Sequence, residues 1–305
     1  MPTIPPAAKH RLYRGRFAPT PSGPLHFGSL VAALGSYLDA RAQQGHWGVR
    51  IEDIDPPRCP PGADALILTQ LERFGLTWDG EVSWQSQRND AYQHALERLV
   101  AEGLAYPCSC SRKQWADSPI YPGWCRSGLR EPGKPVAWRL RSDLGPRPVS
   151  WDDRLFGLTT FDPATLGDVV LKRKEGLWAY QLAVVVDDAE QGITDVVRGA
   201  DLLDNTPWQL QLQTALGALH PRYLHLPLIV TASGQKLSKQ NLAPPLAEDA
   251  EGVRRELYRA LVALDQAPPK ALAAEPPKTQ LAWAIEQWDA AKLVARMERA
   301  LEEES

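Results

Sequence analysis

Two short stretches about two hundred residues apart carry residue types suited to handling a nucleotide. The first, Arg16-Phe17-Ala18-Pro19-Thr20-Pro21-Ser22-Gly23-Pro24-Leu25-His26-Phe27-Gly28-Ser29, is a Pro/Gly loop that delivers a histidine to the start of a periodic apolar segment. Glycine lets a backbone approach a ligand closely. A helix N-terminus offers unpaired N–H groups and partial positive charge to phosphate. The second, Lys236-Leu237-Ser238-Lys239-Gln240, places two lysines around a serine. Such a cationic loop can neutralise charge developing on a departing pyrophosphate. Neither stretch is a P-loop or a dinucleotide glycine fingerprint. A third constellation is Cys108-x-Cys110 followed by Tyr121 and Cys125. Two thiolates one residue apart can grip one metal from a turn, and zinc takes four tetrahedral ligands, so three cysteines leave a fourth place open. Cys59 lies outside this group.

The elements that must position these residues can be read along the chain. Arg14–Ala18 reads as a strand, the Pro/Gly loop follows, and a helix is expected over Phe27–Gln43 with Leu30, Leu34, Tyr37 and Leu38 on one face. Gly45 suits the helix end, and Trp47–Ile51 reads as the next strand. Strand, loop, helix and strand make the βαβ unit of a parallel sheet. Amphipathic helices are expected at Ala63–Phe74 and Asp90–Ala101. From Tyr106 to Pro163 the pattern breaks, with many prolines, three of the four cysteines and one clear strand at Val136–Arg141, and this stretch reads as an insertion. Beyond it, Leu182–Val186 is ambiguous, since valines favour a strand and Gly192 closes the run like a helix. Ile193–Arg198 and Leu224–Val230 read as strands. Thr206-Pro207 reads as an N-cap and first helical residue. From Leu246 helices are expected, broken at Ala267–Pro277.

Composition narrows the class. The chain of 305 residues has 34 basic and 37 acidic residues and is 44% hydrophobic, enough for two domains or one with an insertion. Overall charge does not mark a nucleic-acid binder, but Arg112–Arg147 holds eight basic and three acidic residues, against eight and twelve over Leu246–Ser305. A polyanion would prefer the middle of the chain. No apolar run reaches membrane-spanning length, and Met1-Pro2-Thr3-Ile4-Pro5-Pro6 lacks a signal-peptide core, so a cytoplasmic enzyme with no membrane partner is expected. Four cysteines do not make a disulfide scaffold.

The first two stretches resemble the HIGH and KMSKS signatures of class I aminoacyl-tRNA synthetases. Arg16–Gly23, Arg50-Ile51-Glu52-Asp53-Ile54-Asp55, Tyr180–Asp188 and Val197-Arg198-Gly199-Ala200-Asp201 resemble blocks of glutamyl-tRNA synthetases, in order, across Gly15 to Gln240. Ser29 replaces the last histidine of HIGH, while Leu237 and Gln240 replace residues of KMSKS but leave both lysines. About sixty residues follow the second motif, fewer than an anticodon-binding region needs, and this short form is similar to the glutamyl-Q tRNA(Asp) synthetases. That resemblance implies ATP-dependent, tRNA-independent activation of L-glutamate and its transfer to queuosine in the anticodon loop of tRNA(Asp).

The resemblance also implies site residues. His26 and Lys239 would be catalytic, with His26, Gly28, Ser29, Lys236, Ser238 and Lys239 on ATP and its Mg2+. Arg16, Ala18, Pro19, Thr20, Glu52, Tyr180 and Arg198 would hold glutamate, whose side-chain carboxylate demands a cation and whose ammonium demands an anion. Cys108, Cys110, Tyr121 and Cys125 would hold one structural zinc. The expected fold is α/β: a Rossmann-like parallel-sheet catalytic domain in two halves, 10–105 and 164–243, a zinc-bearing insertion at 106–163, and a small C-terminal helical domain at 244–305, as a monomer. Two other readings fit the motifs: a shortened glutamyl-tRNA synthetase charging a tRNA 3′ end, and a non-catalytic, RNA-binding paralogue.

Overall fold

A computed structural model describes residues 12–118, 120–231 and 244–300. In chain order the elements are β1 (Arg14–Phe17), α1 (Phe27–Ala42), β2 (His46–Ile51), α2 (Ala63–Arg73), β3 (Ser83–Trp84), α3 (Asn89–Ala101), β4 (Ala105–Cys108), β5 (Ala137–Leu140), β6 (Val149–Asp153), β7 (Gly157–Phe161) and β8 (Val170–Lys172). There follow α4 (Tyr180–Glu190), β9 (Asp195–Gly199), α5 (Thr206–Ala215), β10 (Arg222–Leu226), β11 (Leu228–Val230), α6 (Ala250–Ala263), α7 (Pro277–Gln287) and β12 (Glu298–Ala300).

Parallel pairing runs β1–β2–β3 on one side and β9–β10–β6 on the other. The two groups meet where the Thr194 amide donates to the Arg14 carbonyl at 2.9 Å, just ahead of β9. After β1 the chain steps one way, to β2, and after β9 the other way, to β10. In an open parallel sheet, ligands bind at such a switch point, beyond the strands' carboxyl ends.

Helix α1 is buried from Leu30 to Ala40 on nearly all sides, not only on the expected face. The reason lies far along the chain: Leu257, Leu261 and Leu264 of the α6 segment and Leu281 of α7 share one core with Leu30, Leu34, Leu38 and Trp47. Asp39 adds a polar tie. It accepts from Tyr13 Oη at 2.6 Å, from Arg154 at 2.5 and 2.7 Å, and from Trp288 Nε1 at 3.0 Å. The C-terminal segment is therefore continuous with the catalytic core, and its last three-residue strand, β12, pairs in parallel with β11.

Several sequence expectations shift. The ambiguous Leu182–Val186 run is helical. Residues 181–188 are all buried, so no periodicity marks them and packing overrides the valines' propensity. Thr206 is not the N-cap: a 3-10 turn at Ala200–Asn205 runs straight into α5, and the Thr206 hydroxyl accepts from Arg198. The left-handed residue after α1 is Gln44, with φ 52°, while Gly45 is needed because a Cβ there would lie 2.8 Å from the Tyr13 carbonyl. The strand expected over Leu224–Val230 breaks at Pro227, which has no N–H to donate. Residues 106–163 contribute to two sheets. The cysteine-bearing turn hangs between β4 and β5 of an antiparallel β4–β5–β8 sheet, while the β6–β7 hairpin joins β10.

Gly35 sets how closely α1 approaches β10: a Cβ would lie 2.6 Å from Leu226 Cδ1 and 3.3 Å from Leu264 Cδ2. Gly35→Val is expected to lower the unfolding free energy by about 1–3 kcal/mol, read as a lower urea midpoint at unchanged slope.

Candidate active site

At the switch point a cavity of ≈ 870 Å3 opens between the carboxyl ends of β1, β9 and β10 and the N-terminus of α1. All ten expected ligand-binding residues that fall in the described segments line it: Arg16, Ala18, Pro19, Thr20, His26, Gly28, Ser29, Glu52, Tyr180 and Arg198. Lys236, Ser238 and Lys239 lie outside the described residues. Their flanks are described: Ile229 of β11 lines the cavity, and Pro245 forms an antiparallel bridge with His26, with Leu246 N donating to Leu25 O at 3.1 Å. The chain leaves for and returns from the second motif beside the first.

His26 caps α1. Its backbone is extended, with φ −114° and ψ 173°, and its Nδ1 accepts from Ser29 N at 3.3 Å. An accepting Nδ1 puts the proton of the neutral ring on Nε2. The same residue thus orders the helix end and lines the cavity.

Arg16 and Glu52 are held by a buried ion network. Arg16 donates through Nε and Nη2 to both oxygens of Asp188, at 3.0 and 3.2 Å. Arg50 reaches the same carboxylate at 2.8 Å, Glu52 at 3.4 Å and Asp187 at 3.6 Å. Asp187 is also held by Arg88 at 2.5 Å, Tyr92 at 2.9 Å and Gln85 at 2.7 Å. The loop Ala18–Thr20 is pinned to the end of β2 by Glu52 N donating to Pro19 O at 3.0 Å. Burial pushes the Glu52 carboxyl up to about 7, against the opposing pull of Arg50 and Arg16. Asp188 goes the other way: burial raises it, but Arg16 and Arg50 together hold it below the ordinary carboxylate range.

Arg198 is treated differently. It is buried, and among the described residues its hydrogen-bond partners are all neutral: His225 Nε2 at 3.0 Å, Gln209 Oε1 at 2.7 Å, Thr206 Oγ1 at 2.8 Å, Leu202 O at 3.3 Å and Tyr180 Oη at 3.5 Å. The cavity therefore presents an uncompensated guanidinium in one wall, a carboxyl in another, and a helix N-terminus between. It suits a ligand with an anionic group, a cationic group and a phosphate.

Sequence reasoning quoted Arg50, Asp187, Asp188 and Asp201 within its ordered blocks but gave them no role, and it did not single out Gln209, His225 or Arg58; Arg58 and Asp201 also line the cavity. An acidic doublet ending an apolar run was the available signal for Asp187 and Asp188.

The cysteine cluster forms separately. Cys108, Cys110 and Cys125 are buried, with their sulfurs all within 4.8 Å of one another. Cys110 and Cys125 sulfurs are 3.5 Å apart, and Tyr121 Oη lies 3.2 Å from Cys108 Sγ and 3.6 Å from Cys110 Sγ. Two ligands about 2.3 Å from one tetrahedral ion stand roughly 3.8 Å apart, so the three sulfurs could hold a single metal, with Tyr121 Oη beside them. Cys59 stands outside the cluster.

Residues 13–118 and 126–264 match the family described as tRNA synthetases class I (E and Q), catalytic domain. A glutamyl-Q tRNA(Asp) synthetase of Thiobacillus denitrificans is 53% identical over 282 residues, 90% of this chain and 92% of that protein. One of Pseudomonas aeruginosa PAO1 is 54% identical over 286 residues, 92% of this chain and 95% of that protein. Among solved structures, the glutamate-tRNA synthetase of Elizabethkingia anophelis superposes with a TM-score of 0.79 at 25% identity, covering 94% of this chain and 67% of that one. A glutamate tRNA ligase of Elizabethkingia meningosepticum in complex with its amino acid gives 0.77 at 26% identity, covering 94% and 66%. The chain belongs to the class I tRNA synthetases of the glutamate and glutamine type and, within them, to the glutamyl-Q tRNA(Asp) synthetases. Among the described residues no helix is long and apolar enough to cross a membrane.

Because burial raises the Glu52 carboxyl to about 7, it is neutral below that pH and ionised above it. Carboxyl NMR of glutamate-labelled, ligand-free protein is expected to show one resonance titrating near pH 7 and missing in Glu52→Gln. A Glu52 midpoint at the ordinary value would mean that the arginines outweigh burial.

Proposed function

We propose that the protein activates glutamate with ATP, without needing tRNA, and transfers it to queuosine in the anticodon loop of tRNA(Asp). The observation that carries this reading is the cavity itself: Arg198, Glu52 and the His26-capped helix N-terminus converge on one space at the switch point. Relatives more than half identical over nine-tenths of the chain bear that activity in their names, which favours it over 3′-end charging and over a non-catalytic role.

In this reading Arg198, with Tyr180 beside it, takes the side-chain carboxylate of glutamate, and ionised Glu52 takes the ammonium. Arg16, neutralised by Asp188, shapes the wall rather than supplying net charge. The α-carboxylate attacks the α-phosphorus of ATP; the bond to the bridging oxygen breaks and pyrophosphate leaves. The N–H groups at the start of α1, near Phe27 and Gly28, together with His26 Nε2–H, stabilise phosphate charge. Lys236, Ser238 and Lys239 are assigned to the same phosphates on the motif. Mg2+ would supply further charge neutralisation on the phosphates. No covalent enzyme intermediate is needed, so positioning and electrostatics carry the rate. A hydroxyl of the modified base's ring then attacks the activated carbonyl, and AMP leaves.

The reading extends to the organisation. Residues 106–163 carry the insertion, in which Cys108, Cys110, Tyr121 and Cys125 would hold one zinc. Zinc would cross-link a turn whose own apolar core, among the described residues, is Tyr106, Tyr121, the three cysteines and Trp115. We assign 244–305 to a small C-terminal helical domain, whose described helices α6 and α7 share the core of α1, and read the enzyme as a monomer in the cytoplasm.

Two outcomes follow. Labelled glutamate is expected on tRNA(Asp) carrying queuosine and on neither queuosine-free tRNA(Asp) nor tRNA(Glu); label on tRNA(Glu) would move the acceptor to a 3′ end. Elemental analysis is expected to find one zinc per chain, lost in Cys125→Ser with a lower melting temperature; a metal-free protein of unchanged stability would refute the zinc assignment.

A further inference from the structure

The two arginines of the cavity are held in opposite ways, and the difference has a chemical consequence. Arg16 spends two N–H groups on the Asp188 carboxylate. Arg198 has, among the described residues, no carboxylate within ion-pairing range, although it is 6% exposed and makes five hydrogen bonds. Burying a guanidinium with only neutral partners is costly unless an anion arrives.

Each partner is fixed in its neutral, accepting form. Arginine can only donate, so the His225 Nε2 that receives Arg198 Nε must be a lone pair. The ring proton then sits on Nδ1, which faces Asp153 Oδ2 at 2.5 Å. Asp153 stays an acceptor because its other oxygen receives the amides of Leu155 and Phe156 at 3.0 and 3.1 Å. Gln209 is oriented by a chain of amides: its Nε2 donates to Gln181 Oε1 at 2.9 Å, and Gln181 Nε2 donates to Asn205 Oδ1. That leaves Gln209 Oε1 aimed at Arg198. Thr206 offers its hydroxyl oxygen to Nη2.

We propose that Gln209, Thr206 and His225 form a cage of neutral contacts that keeps Arg198 without a direct counter-ion, the nearest carboxylate of the cage, Asp153, standing behind His225, and that this cage sets the preference for a side-chain carboxylate over the isosteric amide. None of the three lines the cavity, so they are positioning residues acting through Arg198. An uncompensated cation rewards glutamate with a full charge interaction and gives glutamine only a dipole. A carboxylate in the cage would satisfy Arg198 internally and erase the difference. The inference rests on reading the cavity as a glutamate site.

Gln209→Glu tests it, because the change is isosteric and adds one charge where an acceptor now lies 2.7 Å from Arg198 Nη1. In glutamate-dependent ATP–pyrophosphate exchange, the KM for glutamate is expected to rise by about tenfold or more, with the KM for ATP within about twofold and the glutamate-to-glutamine ratio of kcat/KM reduced. A glutamate KM at the wild-type value, or glutamate and ATP constants rising together, overturns the proposal. Should that variant not fold, Thr206→Asp carries the test: it places a carboxylate where the acceptor of Arg198 Nη2 now lies, so the glutamate KM rises and the glutamate-to-glutamine ratio of kcat/KM falls, and unchanged values overturn the cage. Wild-type protein that gives no glutamate-dependent exchange overturns the functional reading and this inference together, whereas failure of the variants alone leaves that reading standing.

Discussion

The site depends on a buried ion network that locks three elements into one geometry. Arg16 comes from β1, Arg50 from β2, and Asp187 and Asp188 from α4, with Glu52 at the end of β2. Arg50 is 1% exposed and Asp187 is fully buried. Removing an ion from water costs several kcal/mol, and attraction between partners offsets that only when geometry is good and every donor is used. Well-packed apolar side chains would serve stability as well. What ions add is direction: a carboxylate accepting from two guanidinium groups at 2.8–3.2 Å fixes where both arginines point. Arg16 and Glu52 cannot shift relative to each other without stranding a charge.

The same network explains what the sequence did and did not disclose. The βαβ unit was legible because its signals are local: a Pro/Gly loop, apolar spacing over Leu30, Leu34 and Leu38, and a following strand. Cavity residues were legible through short ordered blocks, and the thiols through their rarity and spacing. The supporting residues were not, because their partners lie far off in the chain: Arg16 and Asp188 are 172 residues apart, and Arg50 and Asp188 are 138 apart. Nothing near Arg16 announces its counter-ion. Helix α4 was ambiguous for a related reason, since an element buried on every side loses the periodicity that distinguishes helix from strand. Strand β12 spans Glu298–Ala300 and exists because it pairs with β11, not because its residues favour a strand.

The electrostatic layout follows from how each charge is supported. Near Arg16 the surplus of arginine is matched by Asp188, so that wall is close to neutral. Glu52 shares the network yet is pushed to about 7, because burial outweighs what Arg50 and Arg16 return. Arg198 stands on the other side with neutral acceptors only. An amino acid with an acidic side chain meets this arrangement with opposite charges at both ends, and each contact removes a desolvation penalty that the empty site carries.

That pairing also couples binding to a proton. An ammonium placed at Glu52 favours the ionised carboxyl and pulls its pKa down from about 7. In the proposed reading, the empty site would hold a fraction of its Glu52 protonated near neutral pH, and an ammonium arriving there would expel that proton. Asp188 is a poor acceptor for that proton, since Arg16 and Arg50 hold its carboxyl below the ordinary range. The buried network thus does two separable things. It fixes the position of Arg16 and Glu52 at the cavity, and it leaves one carboxyl raised to about 7 despite the arginines beside it.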